Sequence, residues 1–314
     1  MTAEPIPGSE ETASPPLRTT FRPALPTEPR ATLRHIWRGP FDPVMRLRSG
    51  AAVRTMRTPL GPATLSVRVQ GPDVAARAWG PGAPWALEQA PELLGARDSL
   101  EGFVPHHRVV AEVHRRLPGL RLCRTANVLD SLVVAILEQK VAGADAVRSW
   151  RRLVHALGTP APGPVAGLRI APPGDVLAAT PYWRYHEFGV ERRRADLIRL
   201  AGARAAWLQE CAELPRERAW ARLLSVPGIG PWTAAEVMLN ALGDPDAVSV
   251  GDYNIPHHVA WALAGERRAT DERMLELLAP YAGQRGRVIR LLMLGAPGPP
   301  RHGPRMRLRD VSRL

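Results

Sequence analysis

The chain has 314 residues, 45% of them hydrophobic and 23% charged, enough for one large or two ordinary domains with real cores. Its formal net charge is +12 and its pI about 11.1, a balance that concentrates it near polyanions, of which nucleic acid is the commonest. No apolar run approaches the roughly 20 residues that span a bilayer, and no long basic amphipathic helix points to a membrane surface. The start, Met1-Thr2-Ala3-Glu4-Pro5, lacks the apolar stretch of a signal peptide, so a cytoplasmic protein is expected.

In chain order, residues 1–30 are rich in Pro, Thr, Ser and Glu and read as a disordered tail. Ala52–Arg57 and Thr64–Val69 alternate apolar and polar residues around the breaker Gly61-Pro62, which predicts strands in a hairpin. Asp73–Trp79 and Pro105–Leu117 read as helices, so residues 31–118 are expected to form a small α/β domain with an antiparallel sheet. From Asn127 the pattern is helical, with Val128, Leu129, Leu132, Val133, Ile136 and Leu137 on one face and Val147, Trp150, Leu153, Val154 and Leu157 on the next. Thr159–Pro173 reads as a loop, and helices resume near Asp175 and over Glu191–Ala206, Arg216–Leu224, Trp232–Leu242, Tyr253–Ala264, Asp271–Tyr281 and Gln284–Leu294. The fold class is therefore mostly α: a helical domain over 119–295 behind the α/β domain. A basic tail follows over 296–314, either a solvated end or a further polyanion contact.

Two residue types limit the chemistry. Cys123 and Cys211 are too few for a structural zinc or an iron–sulfur cluster. Lys140 is the only lysine, so amine chemistry has one side chain to draw on.

The informative block is Leu223-Leu224-Ser225-Val226-Pro227-Gly228-Ile229-Gly230-Pro231-Trp232-Thr233-Ala234-Ala235. A helix ends at Val226, a tight turn follows, and a second helix starts at Pro231, where a missing N–H costs nothing. Gly228 and Gly230 let the backbone approach a partner closely, and the first N–H groups of the second helix point outward, a fit for a DNA phosphate that Thr233 can supplement. Taken alone, this block reads rather as an ordinary connector between two helices. About 20 residues on stands Val248-Ser249-Val250-Gly251-Asp252-Tyr253-Asn254.

Together the two segments resemble the helix-hairpin-helix base-excision DNA glycosylase superfamily, and within it the DNA-3-methyladenine glycosylase II family. Ala135–Val141 is similar to that family's helix and loop ahead of the hairpin, and Gly189–Ala195 to another of its segments; the likeness covers about residues 125–295. The resemblance implies that Asp252 is the catalytic carboxylate. Its physical role is to stabilise positive charge on the deoxyribose as the N-glycosidic bond breaks, and to orient or deprotonate the attacking water. Asp is also a favoured helix N-cap, and the two roles are compatible.

Strand-cutting members carry a Schiff-base lysine where this chain has Trp232, so water is expected as nucleophile and an intact abasic site as product. Trp232 and Tyr253 are candidates for the base pocket, since electron-rich rings favour cationic alkylated bases; either is otherwise a core aromatic. Glu236, one turn past Trp232, either lines that pocket or pairs with an arginine. The family's loop that fills the gap left by an extruded base matches Gln139-Lys140. Here Lys140 replaces an apolar or amide wedge and is otherwise a phosphate-contacting or solvent-facing charge, while Gln139 is otherwise a structural hydrogen bonder. The resemblance also implies a structural monovalent cation on the carbonyls of Leu224, Val226 and Ile229, with no other cofactor required. The pair His257-His258 points about 100° apart on a helix and reads as surface or core rather than metal. The expected activity is excision of alkylated bases from double-stranded DNA by a monomer. The alternatives are a non-catalytic helix-hairpin-helix DNA binder or a glycosylase for oxidised or deaminated bases.

Overall fold

The structure, a computed structural model, describes residues 15–300. It opens with β1 (Leu17–Phe21) and α1 (Pro29–Leu33), followed by β2 (Met45–Arg48), β3 (Ala51–Thr58), β4 (Gly61–Gln70), β5 (Asp73–Trp79) and α2 (Ala83–Leu93). The strands form one antiparallel sheet in the order β1-β5-β4-β3-β2. Register places Ala52 opposite Val67, Leu65 opposite Ala78 and Val67 opposite Ala76, so one face carries the buried apolar set that α2 covers with Ala83, Ala86, Ala90 and Leu93. The two-residue turn Gly71-Pro72 joins β4 to β5 with Gly71 at φ 60°.

Two expectations are corrected here. Asp73–Trp79 is strand β5, not a helix: Val74, Ala76 and Ala78 are buried alternately, and pairing with β4 on one side and β1 on the other overrides the helical preference of its alanines. Residues 17–21 of the expected disordered tail form the edge strand β1, whose ladder to β5 holds it while its side chains bury little. Residues 1–14 of that tail lie outside the described residues, as does the basic tail beyond 300.

The helical part consists of α3 (Arg108–Arg116), α4 (Val128–Glu138), α5 (Gly143–Leu157), α6 (Gly174–Ala179), α7 (Tyr182–Glu187), α8 (Arg192–Ala203), α9 (Ala205–Gln209), α10 (Arg216–Leu224), α11 (Pro231–Val237), α12 (Ile255–Ala264), α13 (Asp271–Leu278) and α14 (Arg285–Gly295). A π-helical turn, Met238–Leu242, continues α11 and ends at Gly243, which is left-handed. At the centre lies α4, with Asn127 capping its start and Leu132, Val133, Ile136 and Leu137 buried among α5, α8 and α11. The expected loop over 159–173 carries two short paired strands, β6 (Thr159–Pro160) and β7 (Arg169–Ile170). These dock back on the sheet, with the Arg169 N–H donating to Pro43 O at 2.8 Å and the Thr55 hydroxyl donating to Arg169 O at 2.6 Å.

A boundary at 118 does not divide the packing. Val110 and Val113 of α3 sit in a core with Val259, Met274, Leu278, Val288 and Leu292 of the last three helices. Just before α3, the Asp98 carboxylate accepts from Arg287 of α14 in an ion pair buried to 1% exposure on both sides. The N-terminal sheet and the helical part are thus tied together from both ends.

Candidate active site

The hairpin begins where α10 ends. Leu223, Val226 and Ile229 are buried and anchor the turn, and the Ile229 N–H donates to Val226 O at 3.0 Å. Gly228 has φ +94°, and a Cβ there would meet the Leu197 methyls of α8 at 3.1 Å, so glycine is required on two counts. Pro231 is the first residue of α11, and no side chain caps its start. Of the three carbonyls implied as cation ligands, Val226 O already accepts within the turn, while those of Leu224 and Ile229 receive no backbone turn or loop hydrogen bond. That arrangement leaves oxygen lone pairs free for a hard cation.

The α4 terminus is fastened to this hairpin. Gln139 Nε2 donates to the Thr233 hydroxyl at 2.9 Å and to Gly228 O at 3.2 Å, so Gln139 is a brace. Thr233 is 2% exposed and its hydroxyl is engaged by that amide, which takes its side chain away from any surface partner and corrects the expectation of a hydroxyl contact. Lys140 follows, exposed, with a left-handed φ of 54° that projects it from the end of α4.

The two segments highlighted in the sequence meet at Asp252. Its Oδ2 accepts from the indole Nε1 of Trp232 at 3.0 Å, and its Oδ1 accepts the N–H groups of Asn254 at 2.7 Å and Ile255 at 2.9 Å, at the start of α12. All three neighbours are donors, the set that an ionised carboxylate accepts. Asp252 and Trp232 are both partly exposed, as cleft-lining residues are. Glu236 holds the strand of chain that delivers Asp252: its Oε1 accepts from the Ser249 hydroxyl at 2.6 Å and its Oε2 from the Asn240 amide at 3.3 Å. Tyr253 borders a hollow beside Asp252, but an open one. It is 82% exposed, edge-on to His257, and the shallow hollow, of about 400 Å³, lies between the Asp252 loop and the start of α13. His257 Nδ1 accepts from the Ala269 N–H and His258 Nε2 faces Leu292 O; among the described residues no cluster suits a metal.

Three charged residues of the site were not singled out from sequence: Arg38, Glu138 and Arg290. Glu138, the last residue of α4, approaches Arg38 Nη2 at 3.4 Å. Burial raises its carboxyl above the ordinary range, Arg38 opposes this, and the nearby carboxylates of Glu236 and Asp252 add to it. Arg290, from α14, donates to Asn240 Oδ1 at 3.4 Å; burial lowers its pKa against the pull of Glu236. Three carboxylates and two guanidiniums therefore converge from the loop after α1, from α4, from α11, from the Asp252 loop and from α14.

No family model matches the chain. A 164-residue segment, 52% of the chain, is 31% identical to the "Probable bifunctional transcriptional activator/DNA repair enzyme AlkA" of Mycobacterium tuberculosis, 31% of which it covers. A 175-residue segment is 24% identical to the "DNA-3-methyladenine glycosylase" of Bacillus subtilis, covering 53% of this chain and 56% of that one. The chain thus matches less than two thirds of the length of either curated relative. Among solved structures, a 3-methyladenine DNA glycosylase from Archaeoglobus fulgidus superposes with a TM-score of 0.73 at 18% identity, covering 88% of this chain and 98% of that one. An 8-oxoguanine glycosylase/lyase from Clostridium acetobutylicum, in complex with double-stranded DNA, superposes with a TM-score of 0.68 at 12% identity, covering 89% and 96%. The resemblance read from the hairpin and Asp252 is borne out, and the fold is that of the helix-hairpin-helix glycosylases with an N-terminal antiparallel sheet. No described helix is long and apolar enough to cross a membrane.

Proposed function

We propose that this protein is a monofunctional DNA glycosylase that removes alkylated bases, of the 3-methyladenine type, from double-stranded DNA. The observation that carries the reading is the Asp252 carboxylate, fixed by three donors and bonded to the indole of Trp232 at 3.0 Å beside the hairpin. The hairpin backbone holds a phosphate without reading sequence, which leaves the neighbouring nucleotide facing the cleft. A damaged base turns out of the stack, and Lys140, exposed at the end of α4, fills the space it leaves. As the C1′–N bond lengthens, positive charge grows on the sugar opposite Asp252. The same carboxylate orients a water on C1′ and takes its proton as the C–O bond forms, and the base departs with the bonding pair. A cationic alkylated base leaves as a neutral molecule, so no strong acid is needed.

Water rather than a lysine is the nucleophile in this reading, because Trp232 stands at the hairpin-helix position where strand-cutting glycosylases carry their Schiff-base lysine and the sequence has a lysine only at Lys140. The product is an uncut abasic strand. A monovalent cation on the Leu224, Val226 and Ile229 carbonyls would supply positive charge beneath the bound phosphate. The test is single-turnover incubation with methylated duplex, scoring released 3-methyladenine and strand scission separately, with borohydride trapping alongside. Release without scission or trapping is expected. DNA binding without release of any alkylated, oxidised or deaminated base would leave the non-catalytic binder in its place.

A further inference from the structure

Resting on that glycosylase reading, we propose that Glu138 and Arg38 form a specificity-determining pair that reads the edge of the extruded base and favours alkylated guanine over alkylated adenine. The pair is rigidly placed. Glu138 immediately precedes Gln139, whose amide is bonded to Thr233 and Gly228, so the end of α4 cannot drift from the hairpin. Arg38 is held from the sheet domain, its N–H donating to Asp42 Oδ2 at 2.8 Å and its Nη1 to His35 O at 2.9 Å. Both side chains remain partly open, Glu138 at 24% and Arg38 at 14% exposure, and Glu138 lies within electrostatic reach of Asp252.

What sets the pair apart is how incompletely it is satisfied. Its sole mutual contact is the 3.4 Å approach, no described residue donates a hydrogen bond to the Glu138 carboxylate, and Arg38 Nε is buried without a partner. Arg290, within electrostatic reach of both, also has its Nε buried without a partner. The Glu138 oxygens, partly open and without a donor, are the atoms of the pair that a ligand can reach and complete. A carboxylate beside a guanidinium matches the guanine edge, where N1–H and the N2 amino group offer two donors side by side and O6 offers an acceptor. Adenine presents a single donor there, so it leaves one carboxylate oxygen unmet. A site built around such bonds discriminates by what an analogue fails to supply.

The experiment uses the full-length protein and one methylated duplex preparation containing both 7-methylguanine and 3-methyladenine, with single-turnover release of each base measured for wild type and Glu138→Gln. Loss of one hydrogen bond to a charged group corresponds to about 10- to 100-fold. The variant is therefore expected to lose at least about tenfold more on 7-methylguanine than on 3-methyladenine, shifting the ratio by that factor. Arg38→Gln, which leaves Glu138 in place, is expected to shift the ratio in the same direction and serves if the first variant folds poorly. Equal losses on both bases in either variant, or no change, overturn the assignment. Release of neither base by wild type overturns the glycosylase reading itself and this assignment with it.

Discussion

Replacing Asp252 by Asn keeps the size of the side chain and the acceptor that meets the Asn254 and Ile255 N–H groups, but removes the charge. For the fold, the cost is confined to one hydrogen bond. Asn ranks with Asp as a cap, so the start of α12 is retained. The new amide meets the Trp232 indole N–H donor to donor, and losing that charged hydrogen bond costs about 1.5–3 kcal/mol. For the reaction, the cost is larger. A unit positive charge developing on the sugar about 4 Å from the carboxylate, at an effective dielectric of about 20, is held by about 4 kcal/mol. At about 1.4 kcal/mol per factor of ten, the release rate is expected to fall about 10³-fold, with DNA affinity nearly retained. The assay is single-turnover release of 3-methyladenine under saturating enzyme, with binding followed by fluorescence anisotropy and stability by urea melts. A fall in rate of less than tenfold, accompanied by the expected loss in stability, would show Asp252 to be only a helix cap and would refute the electrostatic argument.

Three further outcomes follow from particular residues. Gly228→Ala places a methyl group 3.1 Å from Leu197 at a φ of +94°, and is expected to destabilise by about 1–3 kcal/mol and weaken binding of even undamaged duplex, measured by melts and anisotropy. Lys140→Gly relieves a left-handed φ of 54°, so stability is expected to hold within about 1 kcal/mol while DNA affinity falls and the log–log salt slope shrinks by about one; an unchanged slope would remove Lys140 from the interface. His35, buried against Cys123, has a pKa well below the usual 6.5, because of burial and then of Arg290 and Arg38. The unfolded chain takes up a proton below about pH 6.5 that the folded chain refuses, so this residue makes stability rise with pH through that window by up to about 1.4 kcal/mol per unit. Burial raises the carboxyls of Asp42, Asp130 and Glu138, which work in the opposite sense. The contribution is therefore read as the difference between wild type and His35→Asn in urea melts from about pH 5 to 7.5, and identical slopes would refute it.

The parts of the site that could be read from sequence are those carried by short contiguous segments. The Pro-Gly-Ile-Gly turn and the later Asp252 announce a hairpin and a carboxylate because their backbone demands leave specific residues behind, and the structure joins them through Trp232. Glu138, Arg38 and Arg290 come from three separate stretches whose convergence depends on tertiary packing, and a single charged residue near a helix end carries no periodic signal. The exposure of Tyr253 was not legible for a related reason: one residue past Asp252, the chain turns outward and carries the ring into solvent. In the fold, β1 left no hydrophobic trace because edge-strand bonding is made by backbone, and β5 read as helix because alanine serves both periods once its small side chains are packed under α2.

The tie between Asp98 and Arg287 spans 189 positions of sequence. On a ribosome adding about 5–20 residues per second, the carboxylate emerges on the order of 10–40 s before its guanidinium. For that interval Val110 and Val113 also lack the α14 surface that covers them, and the cleft lacks Arg290. The nascent protein therefore cannot fold its first half as a finished unit. Its vulnerable period in the cell is the last stretch of synthesis, when a chaperone has an exposed apolar helix to hold and the charged cluster around Asp252 is still without its last member.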